Sequence, residues 1–384
     1  MKAVTSFAIE KIDLFVFRAP ADPPVQTSFG IMRDRPAVLL RVTDPDGAHG
    51  WGEIWCNFPV VGAEHRARMA STYLPTLVCG KTWTSPQECF KAVSEQLAVL
   101  AIQCGEPGPI QQMVAGFDIA VWDLIARKAS LPLWKLLNHE LTVAPRIALY
   151  ASGINPTHPE RLAEAKLEEG YRAFKLKVGF GRGRDDANLR AVREVIGAES
   201  TLMVDANQAW DLHESIEAGR RMAVHDLAWL EEPVRADASL DTWSQLAAAQ
   251  PVSLAGGENV AGHASFDHFI ATPGIAIVQP DIGKWGGFSG CIEVGRATVG
   301  QGKRFCPHWL GGGIGLAASF HLKAAVGGPG FVEVDANPNP LRECLATPAF
   351  VIDDGAVVLG DSPGIGVLPD LDECGVYLVA IGSP

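Results

Sequence analysis

Eight residues able to move a proton, carry a charge or hold a metal close one short apolar run after another between Phe174 and Glu333. Lys175 and Lys177 sit in AFKLKV, Asp205 in TLMVDAN, Glu231 in LAWLEEP, Glu258 in VSLAGGEN, Asp281 in IAIVQPD, His308 in RFCPHW and Glu333 in GFVEV. Three acids at the ends of successive runs, Asp205, Glu231 and Glu258, would repel one another and raise each other's pKa unless a cation sat among them. An all-oxygen set without His or Cys favours a hard ion, Mg²⁺ or Mn²⁺, over Zn²⁺. The bland alternative is that each acid caps the following helix or pairs with an arginine. Lys175 and Lys177, two apart on one strand, share a face, and mutual repulsion would lower the pKa of one into the range of a general base. Asp281 bonded to one ring nitrogen of His308 would fix the tautomer and make the other nitrogen the stronger base. Two bases facing one carbon are what racemisation, or loss of a proton and a leaving group, would use.

From Lys177 to Glu333 the steps between these residues are 28, 26, 27, 23, 27 and 25. Each step is the length of a strand plus a crossover helix. Strand ends buried under helices normally carry Val, Ile and Leu, so a polar residue at every end is hard to explain as packing. In a parallel barrel those ends converge on the face that holds the active site. The spacing therefore predicts a (β/α) barrel whose catalytic groups come from many strands.

A barrel of about 250 residues leaves over a hundred of the 384 for something else. Residues 9–18 and 36–44 read as strands of an antiparallel sheet with a hairpin signal at DPDG, and helical periodicity follows in 62–78, 85–102 and 111–129. We expect an N-terminal α+β capping domain at 1–130, the barrel at 140–336, and a C-terminal segment, 337–384, returning to the capping domain. Two loops, 20–35 and 51–59, read as connections or lids. The glycine-rich GFGRG at 179–183 and GGGIG at 311–315 follow strands and would suit a phosphate, yet neither has the pattern of a Walker or Rossmann turn.

Composition narrows the partners. A hydrophobic content of 47% with 20% charged residues describes an ordinary globular protein. The formal charge of −12 argues against a nucleic-acid surface. No uncharged apolar run approaches a membrane span and the N-terminus lacks a signal-peptide core, so neither a membrane nor a secretory route is expected. The eight cysteines form no C-x-x-C pair and read as reduced thiols of a cytoplasmic protein.

In this order, AGFDIAVWDLIARKA, KLK, MVDANQ, WLEEP, GGEN, QPDIGKWGG and the CPH segment resemble the enolase superfamily and, within it, the mandelate racemase subgroup. The resemblance runs over nearly the whole chain. It implies a modified (β/α)8 barrel, (β/α)7β, under an N-terminal capping domain. It further implies Mg²⁺ on Asp205, Glu231 and Glu258, with Mn²⁺ as a substitute. Lys177 would be one base and Lys175 its neighbour at the substrate carboxylate. His308 with Asp281 would be the second base, and Glu333 a protonated acid bonded to that carboxylate. Asn207 and Lys284 match supporting positions. The muconate-lactonising subgroup would show a Lys where Asp281 stands and no equivalent of His308.

The implied reaction removes the proton α to a carboxylate and leads through an enediolate. The leading expectation is dehydration of a sugar acid, aldonate or aldarate, to a 2-keto-3-deoxy acid. The rivals are a racemase or epimerase of a 2-hydroxy acid, a cycloisomerase, and a non-catalytic binding protein. Arg33 and Arg35 would meet a distal carboxylate unless they are surface arginines, and Trp55 and Phe58 would pack on the substrate chain or fill the domain interface. A small-molecule carboxylate is the expected partner, and family members assemble into dimers or octamers.

Overall fold

The computed structural model describes residues 6–379. The first sheet is a long hairpin, β1 (Lys11–Thr27) and β2 (Gly30–Thr43), extended by β3 (His49–Ile54). What reads in sequence as a loop at 20–35 is thus mostly strand. Its register breaks between Pro20 and Val25, where Pro23 and Pro24 have no N–H to give to the ladder. Three helices follow, α1 (Gly62–Val78), α2 (Pro86–Cys104) and α3 (Pro107–Lys128); α1 and α3 pack on this sheet and α2 packs on α3. Ser85 caps α2 by accepting the Glu88 N–H, Pro86 supplies its fixed φ to the first turn, and Gly105 ends it in the left-handed region.

Eight parallel strands follow: β4 (Arg146–Ile154), β5 (Ala173–Lys177), β6 (Thr201–Asp205), β7 (Leu227–Glu231), β8 (Leu254–Gly256), β9 (Ile275–Val278), β10 (Arg304–Phe305) and β11 (Val332–Asp335). They pair in chain order, with β11 against β4. The last join rests on two backbone bonds, Phe305 N–H to Pro329 O at 3.2 Å and Glu333 N–H to Pro307 O at 3.4 Å. The chain is therefore a (β/α)8 barrel beneath an N-terminal α+β layer.

Inside the barrel the two-residue period stacks a charged layer on an apolar one. Tyr150, Ala173, Met203, Trp229, Ala255, Ile277 and Cys306 form the buried plug. Two residues further along, the same inward face carries Lys175, Asp205 and Glu231. A sheet-facing valine in those places would merely thicken the plug.

Carboxylates fasten the N-terminal layer to the barrel. Asp118 on α3 accepts the Ser289 N–H at 2.9 Å and its O–H at 2.6 Å, at the start of α4 (Gly287–Gly300). Gly287 has φ +53°, and a Cβ there would lie 2.4 Å from Asp118 Oδ2. Glu53 on β3 accepts N–H groups from Gly312 and Gly315, at the start of α5 (Gly313–Val326). The other glycine-rich turn is filled as well, because Asp185 accepts the Gly179 and Phe180 N–H groups, each at 3.1 Å. Neither turn is free to cradle a phosphate.

Beyond the barrel, β12 (Ala356–Val358) adds antiparallel to β4, and β13 (Leu378–Val379) pairs with β1. The thiol expectation needs correcting here. Cys344 and Cys374 form a disulfide with Cα atoms 5.8 Å apart, while the other six cysteines are free. The backbone bond from Asp370 N–H to Cys344 O at 2.8 Å folds the tail back onto the short helix that ends at Cys344. A sequence separation of 30 hides that proximity in the sequence. Among the described residues no helix is long and apolar enough to cross a membrane.

Candidate active site

Register places the charged layer. Lys177 pairs with Asp205 and Asp205 with Glu231 across β5, β6 and β7, so three strand ends lie side by side. Glu258 follows β8 by two residues, and Asp281 and His308 are joined by a parallel bridge beyond β9 and β10. All eight residues named from spacing gather at this end of the barrel.

Each acid has found a cation. Lys177 Nζ lies 2.6 Å from Asp205 Oδ2, and Lys175 Nζ lies 2.5 Å from Glu231 Oε1 and 2.8 Å from Glu333 Oε1. His308 Nε2 lies 2.5 Å from Glu258 Oε2, while Nδ1 lies 2.6 Å from Asp281 Oδ2. Lys284 Nζ adds a contact of 3.3 Å to Glu258 and stands 4.6 Å above the Trp55 ring. Asn207 donates to Asp205 Oδ2 at 3.0 Å, and Ser152 donates to Glu333.

These pairings set the protonation states. Burial alone would depress both lysines, yet Glu231 and Glu333 hold Lys175 well above its ordinary value, and Asp205 holds Lys177 up in spite of Lys175. The expectation that repulsion would lower one lysine is thus reversed, since the carboxylates outweigh the neighbouring ammonium. Burial also opposes the charge on His308, but Glu258, Glu333 and Asp281 raise it well above the usual histidine value. Glu333 is expected as a neutral acid; here, against burial, Lys175 and His308 pull its carboxyl down to about 2. Glu231 goes the other way. Burial, opposed by Lys175 and reinforced by Asp205, Glu333 and Glu258, lifts it to about 7.

The expected gathering of Asp205, Glu231 and Glu258 around one point is only partly realised. They are neighbours that feel one another's charge, but among the described residues no three of His, Cys, Asp or Glu converge as metal ligands. Each of the three is instead paired separately, Asp205 with Lys177, Glu231 with Lys175 and Glu258 with His308. In kind the set still fits a hard divalent cation: the buried Asp205 and Glu231 and the partly buried Glu258 offer oxygen donors only, Glu231 feels mutual repulsion, and the amide oxygen of Asn207 is buried beside them without a partner.

A cavity of about 250 Å³ opens over this layer. Lys177, Asn207, Glu258, Lys284 and His308 form its charged side. The N-terminal layer supplies the other side through Val25, Phe29, Met32, Arg35, Trp55 and Phe58. Arg33 is not among them. It is exposed on β2, between the buried Met32 and the buried Arg35. Arg35 is the arginine that reaches the cavity, 3% exposed, with Nη2 2.5 Å from Asp335 Oδ2 and Nε without a partner.

Several supporting residues escaped the sequence reading. Gln279 and Trp229 donate to Glu231 Oε2 at 2.6 and 3.1 Å. Glu232, with φ +37°, turns back toward the site and accepts from Asn259 at 2.9 Å. Burial together with Glu258 and Asp205 raises it to about 8. The doubled acid in WLEEP was the available signal.

Comparison with known proteins fits this arrangement. A family model described as "Enolase C-terminal domain-like" matches residues 159–373, and "Mandelate racemase / muconate lactonizing enzyme, N-terminal domain" matches residues 11–138. The chain belongs to the enolase superfamily, in the mandelate racemase subgroup. Within that family it resembles a crystal structure of a mandelate racemase/muconate lactonizing enzyme from Bordetella bronchiseptica RB50, with 50% identity, a TM-score of 0.90, and coverage of 97% of this chain and 99% of that one. The D-galactarolactone cycloisomerase of Agrobacterium fabrum is 29% identical, covering 90% of this chain and 92% of the relative. An enolase from Bradyrhizobium, solved with magnesium and mandelic acid, is 26% identical with a TM-score of 0.85, covering 98% of this chain and all (100%) of that one. Enolase-superfamily relatives are dehydratases, cycloisomerases and racemases, and this chain is accordingly a lyase or an isomerase.

Proposed function

We propose that this enzyme removes the proton α to a carboxylate and dehydrates a sugar acid, aldonate or aldarate, to a 2-keto-3-deoxy acid. The observation that carries the reading is that Lys177 and His308 open onto one cavity from different strands, each backed by a carboxylate of its own, Asp205 and Asp281. Lys177, once deprotonated, takes the α-proton. His308 holds a proton on Nε2 for the departing β-hydroxyl, and Asp281 fixes the ring from Nδ1. Lys175 lies deeper, where its ammonium bears on the negative charge that develops on the substrate carboxylate; Glu231 and Glu333 hold Lys175 in place, and Ser152 donates to Glu333. Asn207 and Lys284 orient the acids beside them.

Mg²⁺, or Mn²⁺ in its place, held by Asp205, Glu231 and Glu258, would supply Lewis-acid stabilisation of that developing charge. A second reading has one specific support. Val25, Phe29, Met32, Trp55 and Phe58 make the far wall largely apolar, which suits a 2-hydroxy acid with an aryl or alkyl group and hence racemisation. A panel of mono- and diacid sugars and of aryl and alkyl 2-hydroxy acids, incubated with Mg²⁺ in D₂O, separates the two. Keto acid from a sugar supports dehydration; α-deuteration without keto acid supports racemisation. Neither product from any acid, with Lys177→Ala and His308→Asn indistinguishable from the parent, would discard both.

A further inference from the structure

The two proposed bases are held in different ways. Lys177 closes β5, a strand paired on both sides, so the ladder itself fixes it. His308 lies three residues past Phe305, the end of the two-residue strand β10, and is tied by one parallel bridge, its N–H on Pro280 O at 3.1 Å; among the described residues no backbone ladder bond engages Trp309 to Gly311 beyond it.

That segment is gripped from the N-terminal layer. Glu53 is 1% exposed, and its two oxygens accept Gly312 N–H at 2.5 Å and Gly315 N–H at 2.9 Å. A Cβ on Gly312 would lie 2.8 Å from Glu53 Oε1, so the glycine is what admits the carboxylate. Gly312 in turn accepts the Trp309 indole N–H at 2.9 Å. The Trp309 ring fills the space where a Cβ on Gly315 or on Gly283, two residues past Asp281, would fall. The Trp309 backbone N–H points to Glu333 Oε2 at 3.3 Å. Asn57, four residues after Glu53, donates to Leu310 O.

We propose that Glu53 is a positioning residue, through which the N-terminal layer sets the place of His308 while leaving Lys177 to its own strand. The proposal rests on the two-base reading for its consequence in catalysis, and Lys177→Ala and His308→Asn test that reading separately. Its own test needs no substrate. In Glu53→Ala, amide hydrogen exchange in residues 308–316 accelerates about tenfold or more, as expected for losing the acceptor of two charge-assisted bonds. Exchange in residues 173–178 stays at the parent rate. The His308 ring resonance, recorded at one pH with labelled histidine and assigned with His308→Asn, moves in Glu53→Ala and returns toward the parent position in Glu53→Gln, which keeps one acceptor oxygen. Should Glu53→Ala fail to fold, Glu53→Gln alone must still accelerate residues 308–316 selectively. A His308 resonance that stays put in every folded variant, or an equal acceleration in residues 173–178, overturns the proposal.

Discussion

Replacing Asp118 with Asn tests the electrostatics of the junction between the two layers. Asp118 is fully buried and accepts both polar hydrogens of Ser289. Burial, only partly offset by those bonds, raises its carboxyl from 3.8 to about 7. An acid with a raised folded pKa binds its proton more tightly in the native chain than in the unfolded one. The extra stability is therefore full below about pH 4 and disappears as pH rises through 7. Linkage between those two values gives a loss of about 2.5 kcal/mol between pH 5 and pH 8 from this one group. Asn keeps an acceptor for Ser289 and cannot ionise, so Asp118→Asn should lack this component. Urea titrations at the two pH values supply the readout, because Trp122 donates to Ser289 Oγ at 3.0 Å and reports on the same contact. The parent should lose about 2.5 kcal/mol more than the variant on going from pH 5 to pH 8. Identical pH dependence in the two proteins would refute the reasoning.

Asp281→Asn removes the charge behind His308 while keeping its size, and should slow proton transfer through His308 about 100-fold or more. Exchange through Lys177 should hold within about threefold, measured as α-deuteration of each enantiomer of whichever acid the screen identifies. Arg35→Ala leaves Asp335 buried without its cation and should cost about 3 kcal/mol in a denaturant titration. Arg35→Ala with Asp335→Ala should recover most of that, and an additive double variant would deny the pair any coupling. Titration of unfolded, unreduced protein with a thiol reagent should count six thiols rather than eight, Cys344 and Cys374 being joined.

The barrel and its charged layer were legible because chain order does most of the work. A strand and its crossover helix have a nearly fixed length, and a residue on the inward face of one strand end must meet those of the next. That reasoning placed Asp205, Glu231 and Glu258 at the ends of successive strands, and register pairs Asp205 with Glu231, with Glu258 two residues past the next strand. The partner each charge would choose was hidden, since spacing says which groups are near but not which oxygen an ammonium reaches first. Glu333 illustrates the gap: the downward pull on its carboxyl comes from Lys175 at 2.8 Å, a distance no sequence pattern encodes. Arg33 and Arg35 were equivalent as letters, and only the buried path of β2 separates the exposed one from the one at the cavity. The long hairpin was missed because its prolines carry a loop signature, although a break in register absorbs them.

Asp118 and Glu53 each plug a helix start that belongs to the other layer, at turns where glycine makes room. Anyone grafting the substrate-facing cap of a relative onto this barrel, to change what it accepts, inherits that constraint. A donor cap with apolar residues at those two places would leave bare amides at the starts of α4 and α5. A successful graft carries its acids with it, or rebuilds the glycine turns of the recipient.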